Sequence, residues 1–339
     1  MPKKLKVLYA FQGTGNGHAA RALELIPILQ EFAEIDILIS GSQSQVQLSY
    51  PIKYSYRGAV FYYTKSGGIN YFRILFNNSL ISLIKEIIKV PVKHYDLVIN
   101  DFESITAWAC KLRKRPIIGL SHQSAFLSDK SPRPKKREFL GEFILRHYAP
   151  TKKHIAFHFQ SYDKFIFPPV IRADVRAAEI SNLGHYTVYL PAYADAKLIQ
   201  LLQKIEDVSW QLFSRKATSC RREANVLIRT IDAKEFAKSM ASSAGLLCSA
   251  GFEGPAEALF LGKKLFVIPI KGQYEQYCNA AALAQLGVPI LKVLKCENID
   301  QLRDWVRNDQ DIKVNFPDQS RAILNSEIFA ADKFGTSEE

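Results

Sequence analysis

The chain has 339 residues, enough for two domains, with 47% hydrophobic and 23% charged residues, and the longest apolar runs fall short of a membrane span. Its basic N-terminus "MPKKLKVLYAF" runs into a glycine turn and carries no cleavage site, so a cytoplasmic location is expected; the five cysteines stand singly, without the spacing of a zinc site or a disulfide framework. The net charge of +12 lies wholly in residues 1–170, which hold 24 basic and 12 acidic residues, against 21 and 21 in residues 171–339. The excess gathers in "KLRKR" (111–115), "KSPRPKKR" (130–137) and "TKK" (151–153), suited to an anionic surface or to a solvated basic face.

Strands are expected at "KVLYAF", "IDILIS", "DLVIN", "PIIGLS" and "HIAFHF", with helices over 17–33, 70–90 and 102–113 between them. Two prolines then interrupt the pattern in "FPPVIRADVRAAEISNLG" (167–184). A second series follows at "YTVYLP", "VSWQLFS", "ANVLIR", "GLLCSA" and "KLFVIP", with helices near 194–205, 232–240, 253–261 and 273–286. Strands alternating with helices specify two doubly wound, Rossmann-like α/β domains, 1–168 and 180–312. An amphipathic tail, about 315–335, is expected to cross back to the first domain.

Ligands of open α/β sheets sit beyond the carboxyl ends of the strands. The first such place is "FQGTGNGH" (11–18). It lacks the G-x-G-x-x-G spacing, and the second strand ends in Ser40-Gly41 where a dinucleotide site has an acid. It also lacks the lysine of a P-loop. What remains is a turn that lets a ligand approach the backbone, followed by His18 in the first turn of a helix. Asp101 ends the fourth strand at the same sheet edge, either to orient His18 or to cap the helix from Phe102, with Glu103 beside it.

The most informative segment is "CSAGFEGPAEALFLGKKLFVIPIKGQYEQYCNAAALAQLGV" (248–288). Ser249, Gly251, Phe252 and Gly254 surround a helix start suited to a diphosphate, and Glu257 lies one turn further on, suited to ribose hydroxyls. Gln273, Glu275 and Gln276, followed by Asn279, suit sugar hydroxyls.

"SAGFEGPAEALFLGKKLFVIPIKGQYEQYCNA" resembles the donor-binding signature of nucleotide-sugar glycosyltransferases of the GT-B fold, and is similar both to UDP-glycosyltransferases and to the N-acetylglucosaminyltransferase that makes lipid II. The resemblance implies two Rossmann-like domains facing a central cleft, Glu257 as ribose ligand, and Glu275 and Gln276 as sugar ligands. "GTGNGHAAR" resembles the loop in which inverting members carry a histidine base, here His18. "VINDFESITAWACKLRKRPIIGLSH" resembles the segment whose aspartate orients it, here Asp101, with Glu103 and His122 on the acceptor side. Gly13, Gly15 and Gly17 would then leave room for the acceptor and for the phosphate edge of a UDP-sugar. Relatives carry other residues where this chain has Phe252-Glu253. An acidic Glu253 would repel a diphosphate, so it is expected to point outward unless the donor is held differently.

The expected reaction is inverting transfer to a hydroxyl acceptor, with neither cofactor nor metal. The sole D-x-D string, Asp309-Gln310-Asp311, lies away from the strand ends. Aromatics with Arg57, Lys65 and Arg73 in "YRGAVFYYTKSGGINYFRILF" (56–76) suit a carbohydrate or an anionic membrane surface, and thus a lipid-linked acceptor. The rivals are a nucleotide-sugar 2-epimerase of the same fold, a silent sugar-nucleotide sensor, and a nucleic-acid-binding protein. Against the last, no nucleic-acid-binding motif accompanies the cations.

Overall fold

The computed structural model describes residues 4–41, 48–58 and 80–330. All but the first three residues of the aromatic and basic segment 56–76, and the first ten residues of the helix expected over 70–90, lie outside them.

The first domain is a seven-stranded, wholly parallel sheet. Its strands are β1 (Leu5–Gln12), β2 (Ala33–Ser40), β3 (Tyr54–Tyr56), β4 (Leu97–Asp101), β5 (Ile117–Ser121), β6 (Lys153–Phe157) and β7 (Ile166–Phe167), in the order β3-β2-β1-β4-β5-β6-β7. Buried on both faces, β1 and β4 are continuous apolar runs rather than alternating ones. The crossovers include α1 (Asn16–Phe32), α2 (Leu80–Lys89) and α3 (Ser104–Arg113), and α4 (Phe139–His147) follows β5. Order reverses between β1 and β4, where Phe11 pairs with Asp101. That register sets the turn after β1 beside the end of β4, the switch point at which doubly wound sheets bind ligands.

After a short helix, α5 (Ala173–Arg176), the second sheet comprises β8 (His185–Tyr189), β9 (Ser209–Ser214), β10 (Arg221–Glu223), β11 (Val226–Thr230), β12 (Gly245–Cys248) and β13 (Lys264–Val267). Its order is β10-β11-β9-β8-β12-β13, parallel except for the β10–β11 hairpin. The charged "RRE" of β10 carries no strand pattern of its own and pairs only because β11 offers it an edge. The helices are α6 (Asp195–Leu202), α7 (Ala233–Ala241), α8 (Glu253–Phe260), α9 (Tyr274–Gln285) and α10 (Ile299–Arg307). Here the switch point lies between β8 and β12, and β12 delivers the chain to residues 249–254.

Both sheets thus present their ligand-binding edges in a two-domain Rossmann-like arrangement. One apolar cluster runs through both, joining Phe159 and α1 to Ala250 and Phe252. The chain then returns through α11 (Ser320–Leu324) and a π turn (Asn325–Phe329) to α1: Phe329 stacks on Phe32 with centroids 5.0 Å apart, and Arg321 pairs with Glu31 at 2.7 Å. Among the described residues no helix is long and apolar enough to cross a membrane.

Candidate functional site at the domain cleft

Gly15 precedes α1 with φ of 93°, a left-handed value that glycine adopts without a Cβ penalty. His18 and Arg21 follow three residues apart on one face of α1, and both meet Asp101. His18 Nδ1 lies 2.8 Å from Asp101 Oδ1, while Arg21 donates from Nε to Oδ2 and from NH2 to Oδ1, each at 2.9 Å. Asp101 is fully buried. Burial alone would raise its carboxyl, but Arg21 and His18 hold it below the usual aspartate range. An ionised carboxylate only accepts, so in the neutral imidazole Nδ1 carries the proton and Nε2 the lone pair. Nε2 makes no hydrogen bond among the described residues.

Asp101 is not the helix cap. Phe102, with φ of 51°, bends the chain sharply, and α3 begins at Ser104 with Glu103 as N-cap. Glu103 accepts from the backbone of Ile105 and Thr106 and from the Thr106 hydroxyl, all at 2.7 Å. Burial pushes its carboxyl up and these bonds oppose the rise. The expectation that Glu103 faces an acceptor is therefore corrected: it is a buried structural cap.

His122 is likewise corrected. It is 1% exposed, stacked at 3.8 Å and 7° on Phe252 of the other domain, with its ring nitrogens bonded to the Phe157 carbonyl (2.9 Å) and the Asn279 amide (2.7 Å). Asn279 spends its remaining group on the Ala250 carbonyl. His122, Phe252 and Asn279 form a strut between the domains, and burial lowers the His122 pKa. These side chains, placed with the acceptor and donor ligands by sequence, thus make contacts between the two domains.

Ser249, Gly251 and Gly254 stand where the turn after β12 opens α8, and a Cβ added to either glycine would meet nothing within 4 Å. Glu253 is the clearest departure. Instead of pointing outward it crosses to the first domain, where Oε1 accepts from Arg21 NH1 at 2.6 Å. A Cβ at Gly17 would lie 2.4 Å from its Oε2, so the glycine leaves the space the carboxylate fills. Glu257 is 4% exposed and takes a two-pronged bond from Arg172, Nε to Oε1 at 2.6 Å and NH2 to Oε2 at 3.1 Å. Burial raises its carboxyl, against the pull of Arg172.

Where the loop after β13 enters α9, Gln276 in the first turn accepts from the Ile270 backbone and donates to Gln273 at 2.8 Å, while Glu275 accepts from Gln123 of the first domain at 3.1 Å. Of the D-x-D string, Gln310 bonds both backbone groups of Leu265 and so covers the edge of β13.

Sequence reading missed Arg21 and Arg172. Arg21 had a signal, its three-residue offset from His18 on a helix. Arg172 had none, because it meets Glu257 from 85 residues away.

Several solved structures share this fold. A spinosyn rhamnosyltransferase, SpnG, complexed with spinosyn aglycone, is 15% identical with a TM-score of 0.58, covering 95% of this chain and 96% of that one. Phytolacca americana UGT2, complexed with UDP-2-fluoro-glucose and pterostilbene, is 12% identical with a TM-score of 0.57, covering 100% and 97%. MurG of Acinetobacter baumannii is 13% identical with a TM-score of 0.51, covering 89% and 91%. No curated protein matches the chain in sequence. The family model for glycosyl transferase family 1 matches residues 5–308. The chain has two Rossmann-like domains of the GT-B type and belongs to glycosyl transferase family 1.

Proposed function

We propose that the protein moves a sugar from a UDP-sugar to an acceptor hydroxyl with inversion at the anomeric carbon, His18 acting as the base. The observation that carries this reading is the 2.8 Å contact between His18 Nδ1 and buried, ionised Asp101 at the β1–β4 switch point. It fixes the tautomer and leaves Nε2 to take a proton. The acceptor oxygen forms its bond to the anomeric carbon as Nε2 takes its proton. The bond from that carbon to the diphosphate oxygen breaks, and the diphosphate leaves with the electron pair. Asp101 stabilises the imidazolium so formed.

Backbone N–H groups at 251–254 and the Ser249 hydroxyl meet the charge of the leaving group in place of a metal ion. The open space in front of Gly251 and Gly254 supports that placement, as does UDP-2-fluoro-glucose in a protein of similar fold. Glu257, held by Arg172, takes the ribose hydroxyls, and Gln273, Glu275 and Gln276 the sugar. His18→Ala removes the base without touching α8: transfer is expected to fall by at least about a hundredfold while UDP affinity stays unchanged. Unchanged turnover overturns the assignment of the base.

The acceptor is presented at an anionic membrane surface. On α4, Phe139 is 85% exposed and Leu140 and Phe143 also face solvent, directly after exposed Lys135, Lys136 and Arg137. Sedimentation with liposomes should show binding to anionic vesicles that is lost at high salt, and equal binding to neutral vesicles overturns this part.

A further inference from the structure

The ion pair between Arg21 and Glu253 is the feature that the proposed chemistry leaves unexplained. Arg21 is 3% exposed and belongs to the first domain, whereas Glu253 opens α8 in the second. Nε and NH2 of Arg21 are both held by Asp101, so the guanidinium keeps its orientation whatever becomes of Glu253. NH1 is the one group aimed across the cleft, and its partner is the Glu253 carboxylate at 2.6 Å. The second oxygen of that carboxylate fills the space left by Gly17. With His18 neutral, the four side chains His18, Arg21, Asp101 and Glu253 sum to one negative charge. An incoming diphosphate would meet that charge directly.

We propose that Arg21 NH1 is a diphosphate-binding group, and that Glu253 occupies it as an internal competitor which the donor displaces. This rests on the reading of a nucleotide-sugar donor above. A carboxylate and a phosphate oxygen both accept from a guanidinium with similar geometry, so one anion replaces the other without moving Arg21. Once Glu253 turns to solvent, Arg21 and Asp101 form a neutral pair, and the charge opposing the diphosphate is gone. Glu253 is only partly covered, with 24% of its side chain exposed, so a path to solvent exists. The exchange places an N-terminal-domain cation on a ligand held mainly by the other domain, and so couples donor binding to the seating of His18, which shares Asp101 with Arg21.

The test is isothermal titration calorimetry of the full chain with UDP, and with uridine as the phosphate-free control. Glu253→Gln, and Glu253→Ala to remove its remaining hydrogen bond, are expected to bind UDP about tenfold tighter than wild type, the scale of one unit charge removed near a doubly charged ligand. Uridine affinity should not move. In a background of Arg21→Gln the gain should vanish, and Arg21→Lys, which keeps a cation against Asp101, should retain part of it. UDP binding that is equal or weaker in both Glu253 variants overturns this inference and leaves nucleotide binding standing. Absence of UDP binding in wild type and variants alike overturns the donor reading, and the inference with it.

Discussion

Asp101→Asn separates the electrostatic role of this carboxylate from simple space filling. In wild type its two oxygens accept from Arg21 Nε, Arg21 NH2 and His18 Nδ1 within 2.9 Å, and Asp101 has no exposure at all. A carboxamide has one oxygen. Turned toward His18 and Arg21 NH2, it sets its own N–H groups against Arg21 Nε–H, donor facing donor. The buried guanidinium also loses one of its two carboxylate partners. Removing one partner of a buried pair costs about 3–5 kcal/mol, and because Arg21 keeps Glu253 the lower end, about 3 kcal/mol, applies. At roughly 2–4 °C per kcal/mol for a domain of this size, the first domain should melt about 6–12 °C lower. His18→Ala gives up a single hydrogen bond, about 1 kcal/mol or roughly 2–4 °C. Differential scanning calorimetry of the two variants against wild type measures the contrast. The pH dependence carries the same signature. Although burial opposes it, Arg21 and His18 depress the Asp101 carboxyl in the folded state. Its contribution is thus present above the unfolded aspartate value near 3.9 and lost as pH falls from there through the folded value. Asp101→Asn should flatten that acid limb. A variant that melts within about 2 °C of wild type and keeps the wild-type acid limb would refute the argument that the Arg21–Asp101 pair holds the site together.

Arg172→Met leaves Glu257 buried without either of its donors and should cost about 3 kcal/mol. Adding Glu257→Gln should return part of that loss, and strictly additive thermal unfolding costs would deny the coupling. At Gly141 a Cβ would lie 2.4–2.6 Å from the Tyr274 Cβ and ring, and the Tyr274 hydroxyl is fixed on Glu142 at 2.6 Å. Gly141→Ala should therefore cost about 1–3 kcal/mol by overpacking the contact between α4 and α9, and a melting temperature equal to wild type would contradict that. His158 is buried among the rings of His122, Phe126, Tyr162 and Phe252, and burial holds its pKa well below the free value. The unfolded chain therefore binds a proton near pH 6.5 that the folded chain refuses, so stability falls as pH drops below that value. The unfolded value alone limits the loss from this residue to at most about 2 kcal/mol between pH 7 and pH 5. Denaturant titrations at pH 7 and pH 5 should show His158→Phe shrinking the difference by up to that amount, and an unchanged difference would remove His158 as its source.

The sequence by itself determined the architecture and the contact on which the proposed chemistry rests. Strands buried on both faces are written as unbroken apolar runs, and helices as a 3.6-residue periodicity, so the strands and helices expected from sequence within the described residues were legible to within a few residues; helices α4 and α10 were not named, nor were the edge strands β3, β7 and β10, which are defined by the neighbour they pair with. The meeting of His18 with Asp101 was legible because both end or follow strands that a doubly wound sheet sets side by side. What only the tertiary structure decided is how the other charges are spent. Glu103 rather than Asp101 caps α3 because the left-handed turn at Phe102 delays the helix by two residues. Glu253 turns inward, and Glu257 is held, because arginines 232 and 85 residues away arrive from the first domain and the linker. Local pattern fixes which way a backbone runs. The partner of a buried charge depends on which distant surfaces dock, and leaving such a charge unpaired costs enough that docking, and no motif around the residue, settles its direction.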